Sequence, residues 1–142
     1  LMNDGCTLDE VVAKVEAPRD LLEKPYLRPT YDDPEFIVRN IWRFYGGWYD
    51  GNPAHLKPAS DQDLSGEIVR LAGGVEAIIR RIETLVAENQ LRLASHFIQW
   101  AYSVDPDNPT IRALRSEVFR RRSQSESTLM ARGIFGEVGD EE

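Results

Sequence analysis

The segment Tyr45-Gly46-Gly47-Trp48-Tyr49-Asp50-Gly51-Asn52-Pro53-Ala54-His55-Leu56 constrains the fold of this chain more than any other. Glycines free to take positive φ stand beside large aromatic rings, and Asp-Gly and Asn-Pro follow at once. The backbone must therefore turn sharply, and neither a helix nor a strand can run through the segment. Two readings of the rings follow. In the simpler one, favoured by composition, Trp48 and Tyr49 plug a hydrophobic core at an interhelical connection. In the other they shape an exposed surface, for which an apolar body with a polar tip is suited. Asp50 is open to two readings as well, a turn former or a general base, and Asp-Gly is turn chemistry first.

Helical spacing surrounds this turn on both sides. Thr7 and Glu10 form a capping box that predicts a helix from Leu8 to about Glu16. Pro18, Pro25, Pro29 and Pro34 then hold the chain from Arg19 onward in mostly extended or turning form. Asp33-Pro34 is an N-cap followed by a first-turn proline, and opens a helix to about Tyr45. Phe36, Ile37, Ile41, Phe44 and Tyr45 recur on it at helical spacing, and Trp42 widens the apolar sector.

Beyond the turn, Ser60 caps a helix over about 61–72, and Gly73-Gly74 ends it. Helices over about 75–88 and 91–104 follow, with stripes at Ile78, Ile79, Ile82, Leu85, Val86 and at Ala94, Phe97, Ile98, Ala101, Tyr102. Small Ala94 and Ala101 with Ile98 between them and Pro106 beyond are similar to the second helix of a tetratricopeptide (TPR) unit. The region of about 75–104 is thus a TPR-like hairpin. Pro109 opens a last long helix to Ser125 or beyond, basic at Arg120-Arg121-Arg122, a run that reads as a solvated face or a set of interdomain ion pairs. Period-two alternation is missing, so the expected class is all-α: a multi-helix bundle forming one domain over 1–136, with an acidic, solvated tail over 137–142.

Composition narrows the function. A net charge of -7 argues against nucleic acid and anionic membrane surfaces as partners. No apolar run is long enough for a membrane span. Cys6 is the single cysteine, which leans mildly towards a reducing, cytoplasmic setting for a soluble protein. The start at Leu1-Met2-Asn3 reads as an excerpt of a longer polypeptide. His55 and His96 are the only histidines, and neither stands in a metal-binding spacing. His96 reads as a helix-surface or satisfied core residue, and His55 as part of the turn. Nucleophile elbows and phosphate-binding loops are absent, so the chain is expected to carry no catalytic residue and no metal site.

The stretch Asn40-Ile41-Trp42-Arg43-Phe44-Tyr45-Gly46-Gly47-Trp48-Tyr49-Asp50-Gly51-Asn52-Pro53 resembles the signature of the dimerisation domain of alkylsulfatases of the metallo-β-lactamase superfamily. Leu1 to Gly5, Ala94 to Pro106 and Met130 to Phe135 agree with it, so the resemblance spans nearly the whole chain. It implies a homodimerisation module joined in cis to an N-terminal metallo-β-lactamase-type catalytic domain, with a sterol-carrier-like domain usually following. Zinc and the activated water for sulfate-ester hydrolysis would belong to that upstream domain, leaving no cofactor here. Tyr45, Gly47, Trp48, Tyr49, Asp50, Gly51, Asn52 and Pro53 match the motif. Trp48 and Tyr49 would face the active-site mouth, and Asp50 to Pro53 would hold the turn. Relatives tend to carry a histidine near Phe36, and this departure argues against a plain alkyl sulfate as substrate. The dimer-interface candidates are Phe36, Ile37, Ile41, Trp42 and Phe44, with the Pro-rich segment Arg19 to Thr30 beside them, about a two-fold axis. The alternative is a TPR-like adaptor that binds a protein or peptide in a groove near Asn89.

Overall fold

The computed structural model describes residues 1–140, and among these every regular element is helical. The helices are α1 (Leu8–Lys14), α2 (Arg19–Leu22), α3 (Pro34–Gly46), α4 (Asp61–Leu71), α5 (Val75–Ala87), α6 (Leu91–Val104), α7 (Pro109–Ser125) and α8 (Leu129–Gly139). Single 3-10 turns lie at Met2–Asp4 and Pro53–His55. The chain divides into two compact units, Leu1–Pro58 with Ser127–Met130, and Ala59–Glu126 with Ala131–Glu142.

In the first unit the capping box forms as its residues predict. Thr7 N donates to Glu10 Oε2 at 2.8 Å, and Glu10 N donates back to Thr7 Oγ1 at 3.3 Å. Helix α1 ends at Lys14 instead of Glu16, because Val15 is already extended ahead of Pro18. Within the segment expected to be mostly extended or turning, Arg19–Leu22 forms one short helical turn, α2: Pro18 sits at its N-cap, a place where a missing N–H costs nothing. Asp33 caps α3 by accepting from Glu35 N at 2.8 Å. Helices α1 and α3 pack together, and Val11 and Trp42 are the buried apolar residues of this unit. Leu129 N and Met130 N donate to Thr30 O and Tyr31 O at 2.8 and 3.0 Å, tying the start of α8 to the Pro-rich segment.

The second unit holds the main core. Its buried cluster draws on Val69 of α4, Ile78 to Val86 of α5, Ala94, Ile98 and Ala101 of α6, and Ile111, Val118 and Phe119 of α7. Helix α6 is central and packs on α4, α5 and α7. Ala94 and Ala101 are fully buried, and their small side chains let neighbouring helices come close. Arg120-Arg121-Arg122 is a solvated face only at Arg120. Arg121 donates to Val86 O and Asn89 Oδ1 at 3.0 and 3.1 Å, and so ties α7 to the C-terminal end of α5. Arg122 donates to Ser95 Oγ at 3.1 Å, pairs with Glu126, and lies over the Phe135 ring at 4.1 Å. These ties are internal to the unit, so the basic run is in large part a packing device.

Helix α8 is a further element, separate from the long helix expected to run from Pro109 to Ser125 or beyond. Phe135 and Val138 pack on the core, and Gly139 is buried against Arg120. Glu137, Val138 and Gly139 thus belong to a packed helix and not to the solvated tail expected from residue 137. Three glycines in α8 weaken its helical signal in sequence, yet Gly139 is what allows its end to reach α7. Glu141 and Glu142, also assigned to that tail, lie outside the described residues.

Candidate functional site

The aromatic turn is held from both ends. Upstream, α3 runs to Gly46 and breaks at Gly47, whose φ of 82° and ψ of -155° only glycine adopts readily. Trp42, one helical turn before, is 8% exposed and donates from Nε1 to Tyr49 O at 3.0 Å. Trp42 is therefore the core plug, and its burial removes it as an interface candidate. Downstream, Leu8 N donates to Asp50 O at 2.8 Å, which pins the turn to the start of α1. Gly51, at φ 94°, lies so close to Thr7 that a Cβ would come within 2.9 Å of Thr7 Cγ2.

Anchored in this way, the turn projects its rings outward. Trp48 is 72% exposed and Tyr49 37% exposed, with their ring centroids 6.1 Å apart in an edge-on arrangement. The expectation that they fill the core is overturned. Trp42 already occupies the space beside α3, and Tyr49 enters the anchor through its carbonyl alone. Tyr45 is exposed and packs edge-on against Phe44, with centroids 4.9 Å apart. Phe36 is half-buried, while Ile37, Ile41 and Phe44 are exposed.

Asp50 is the hub of the polar network. Its Oδ1 accepts from Asn52 N at 2.9 Å, an Asx turn, and its Oδ2 meets His55 Nδ1 at 2.5 Å. Asn52 Oδ1 accepts from Ala54 N at 3.1 Å, so its amide nitrogen faces His55 Nε2 at 3.3 Å. An amide N–H pointing at Nε2 requires an acceptor there, which places the imidazole proton on Nδ1, aimed at Asp50. The hydrogen bond from His55, then that from the Asn52 amide, hold the Asp50 carboxyl below its ordinary value. A carboxylate stabilised by two donors is a weak base, so Asp50 serves the turn. The Asp50–His55 pair escaped the sequence reading because its five-residue spacing matches no helical or strand period. Only the Asx turn and the 3-10 turn at Pro53 fold the two together.

Chemistry elsewhere is sparse. Among the described residues no three His, Cys, Asp or Glu side chains converge. His96 is exposed on α6, 6.2 Å from the Trp100 ring. Cys6, without a basic neighbour in sequence, receives Lys14 Nζ at 3.6 Å across the α1 cap. No helix among the described residues is long and apolar enough to cross a membrane.

The described residues thus form an all-helical body that presents an anchored aromatic turn on its outside. The chain belongs to the alkyl sulfatase dimerisation family, whose model matches residues 7–142. It is 29% identical over 136 residues to an (R)-specific secondary-alkylsulfatase from Pseudomonas sp., covering 95% of this chain and 20% of that protein. It is 31% identical over 121 residues to a linear primary-alkylsulfatase from Pseudomonas sp. (strain ATCC 19151), covering 84% of this chain and 23% of the relative. The structure is similar to that of the stereoselective inverting sec-alkylsulfatase Pisa1 from Pseudomonas sp., with a TM-score of 0.89 and 28% identity over 98% of this chain and 23% of that one. The chain spans about a fifth of the length of the curated relatives it matches.

Proposed function

We propose that this chain is the homodimerisation module of a zinc-dependent, alkylsulfatase-like hydrolase, working in cis with a metallo-β-lactamase-type catalytic domain that supplies the metal ligands. The observation that carries this reading is the family match from residue 7 to residue 142, together with relatives named as alkylsulfatases. A chain of this kind contributes geometry, holding two catalytic domains in a defined relation.

The exposure of Trp48 and Tyr49 supports a second part of the proposal, that these rings form one wall of the catalytic domain's mouth. There the phenol of Tyr49 offers a hydrogen-bond donor to an anionic substrate group, and the indole of Trp48 offers apolar contact. Sedimentation equilibrium of the purified chain over a concentration series, with and without a chelator, tests the first part. A chelator-insensitive dimer is expected, and a monomer at every concentration would overturn it. For the second part, Tyr49→Phe and Trp48→Ala in a full-length enzyme bearing this module should lower turnover, and unchanged turnover refutes the idea.

A further inference from the structure

The exposed apolar surface of the first unit is out of proportion to what the unit buries. Val11 and Trp42 are its buried apolar residues, whereas Tyr26, Ile37, Ile41, Phe44, Tyr45 and Trp48 all stand between about half and four-fifths exposed. A unit this small with so thin a core gains little from internal burial, and the ordering of its chain has to be offset by burial against something outside it.

The outward surface of α3 is organised. Ile37, Ile41 and Tyr45 follow one another at four-residue spacing and form a single ridge, with Phe44 beside it. All four are exposed: Ile37 47%, Ile41 50%, Tyr45 76% and Phe44 81%. Trp42, by contrast, is buried, so the helix has an inner side facing α1 and an outer apolar side. The charged residues of α3, Glu35, Arg39 and Arg43, fall outside the ridge at 100° per residue.

We infer that this ridge is the two-fold contact of the homodimer: α3 of one copy packs against α3 of a second copy, crossing near Ile41. The inference rests on the homodimer reading and specifies its surface. Three observations favour a second copy as the occupant. The chain carries a net charge of -7, so two copies repel unless they meet across an uncharged face, and the ridge is such a face. A ridge of four-residue spacing interleaves with an identical ridge at a crossing angle of about -50°, so the surface is complementary to itself. Burying an aromatic side chain removes about 150–250 Å². Phe44 and Tyr45 with the two half-exposed isoleucines therefore offer about 400–600 Å², a large part of the ~800 Å² that each partner brings to a stable interface. Phe36 and Trp42, the half-buried and buried members of the helix, lie outside this contact.

The test uses the purified chain. Phe44→Glu and Ile41→Glu should each weaken the dimer by about 30-fold or more, as loss of a central anchor does, while circular dichroism confirms the helical content. Leu71→Glu, at a leucine 91% exposed in the second unit, is the control and should leave the dimer unchanged. An independent arm does not depend on weakening anything. In a Cys6→Ser background, Ile41→Cys should form a disulfide-linked dimer with oxidised glutathione, and Leu71→Cys should not. A wild-type dimer that survives both glutamate substitutions, with no Ile41→Cys cross-link, overturns this inference and leaves the homodimer reading standing. A monomeric wild-type chain overturns both.

Discussion

Substituting Gly51 by alanine tests whether the aromatic turn is held by steric fit against the start of α1. Gly51 has φ 94°, and a Cβ there would lie 2.9 Å from Thr7 Cγ2 and 3.2 Å from Thr7 Cα. A rotamer change displaces the side-chain methyl, but the backbone carbon cannot move without opening the capping box or breaking the bond from Leu8 N to Asp50 O. A Cβ in the left-handed region costs ~1–2 kcal/mol, and overpacking against a fixed neighbour adds ~1–3 kcal/mol. The sum is ~2–5 kcal/mol, a large part of the stability of an ordinary domain. Gly73 separates the two causes. It has the same φ of 94°, but a Cβ there meets only Ala77 Cβ at 3.9 Å, an ordinary contact. Gly73→Ala should therefore show the backbone cost of ~1–2 kcal/mol alone. Both variants would be measured by urea unfolding at one fixed protein concentration, since self-association makes stability depend on concentration. Amide exchange at Leu8 supplies the local readout, and it should accelerate in Gly51→Ala and not in Gly73→Ala. If Gly51→Ala costs no more than Gly73→Ala and Leu8 keeps its protection, the turn is not held by this contact.

Three further outcomes follow from particular contacts. Because the folded-state carboxyl of Asp50 lies below its ordinary value, its hold on the turn is complete above that value and is lost as pH falls through the folded one. Trp48 fluorescence should accordingly change in acid and not between neutral and mildly alkaline pH, and Asp50→Asn should remove that acid transition. Gly139→Ala would drive a Cβ to 2.7 Å from Arg120 N and 2.9 Å from its Cα, and should lower stability by ~1–3 kcal/mol in urea titration. Arg121→Ala removes the donors to Val86 O and Asn89 Oδ1 and should cost ~1–3 kcal/mol. Arg121→Lys should recover only part of that loss, since an ammonium cannot reproduce the guanidinium fork.

The helices most readable in the chain are those whose start and stop signals are local. The Thr7–Glu10 box, the Asp33-Pro34 opening, the helix start at Pro109 and the break at Gly73-Gly74 each act within four residues, and each appears in the structure close to where its residues place it. The turn at Gly47 to Pro53 was equally legible as a turn, because positive φ and Asx chemistry are properties of the residues themselves. Family membership was legible for a related reason, since a long run of rare residue types in fixed order carries its own information.

Tertiary structure alone decided which aromatic is inside. Trp42, Trp48 and Tyr49 have similar apolar bulk, and helical spacing places Trp42 only at the margin of its sector. It is the packing of α1 on α3 and the bond from Trp42 Nε1 to Tyr49 O that bury Trp42 and leave the other two rings outside. The Asp50–His55 pair, the Lys14–Cys6 contact and the inward ties of Arg121 and Arg122 share that origin. Each joins residues whose separation is set by how the chain folds back, and no periodicity in the sequence encodes it. Helix α8 shows the same limit in reverse, for its glycines lower local helix propensity while close approach to α7 requires one of them. Local residue chemistry thus determined the helices and the turn, whereas burial and long-range bonding determined which of their side chains are left to meet another surface.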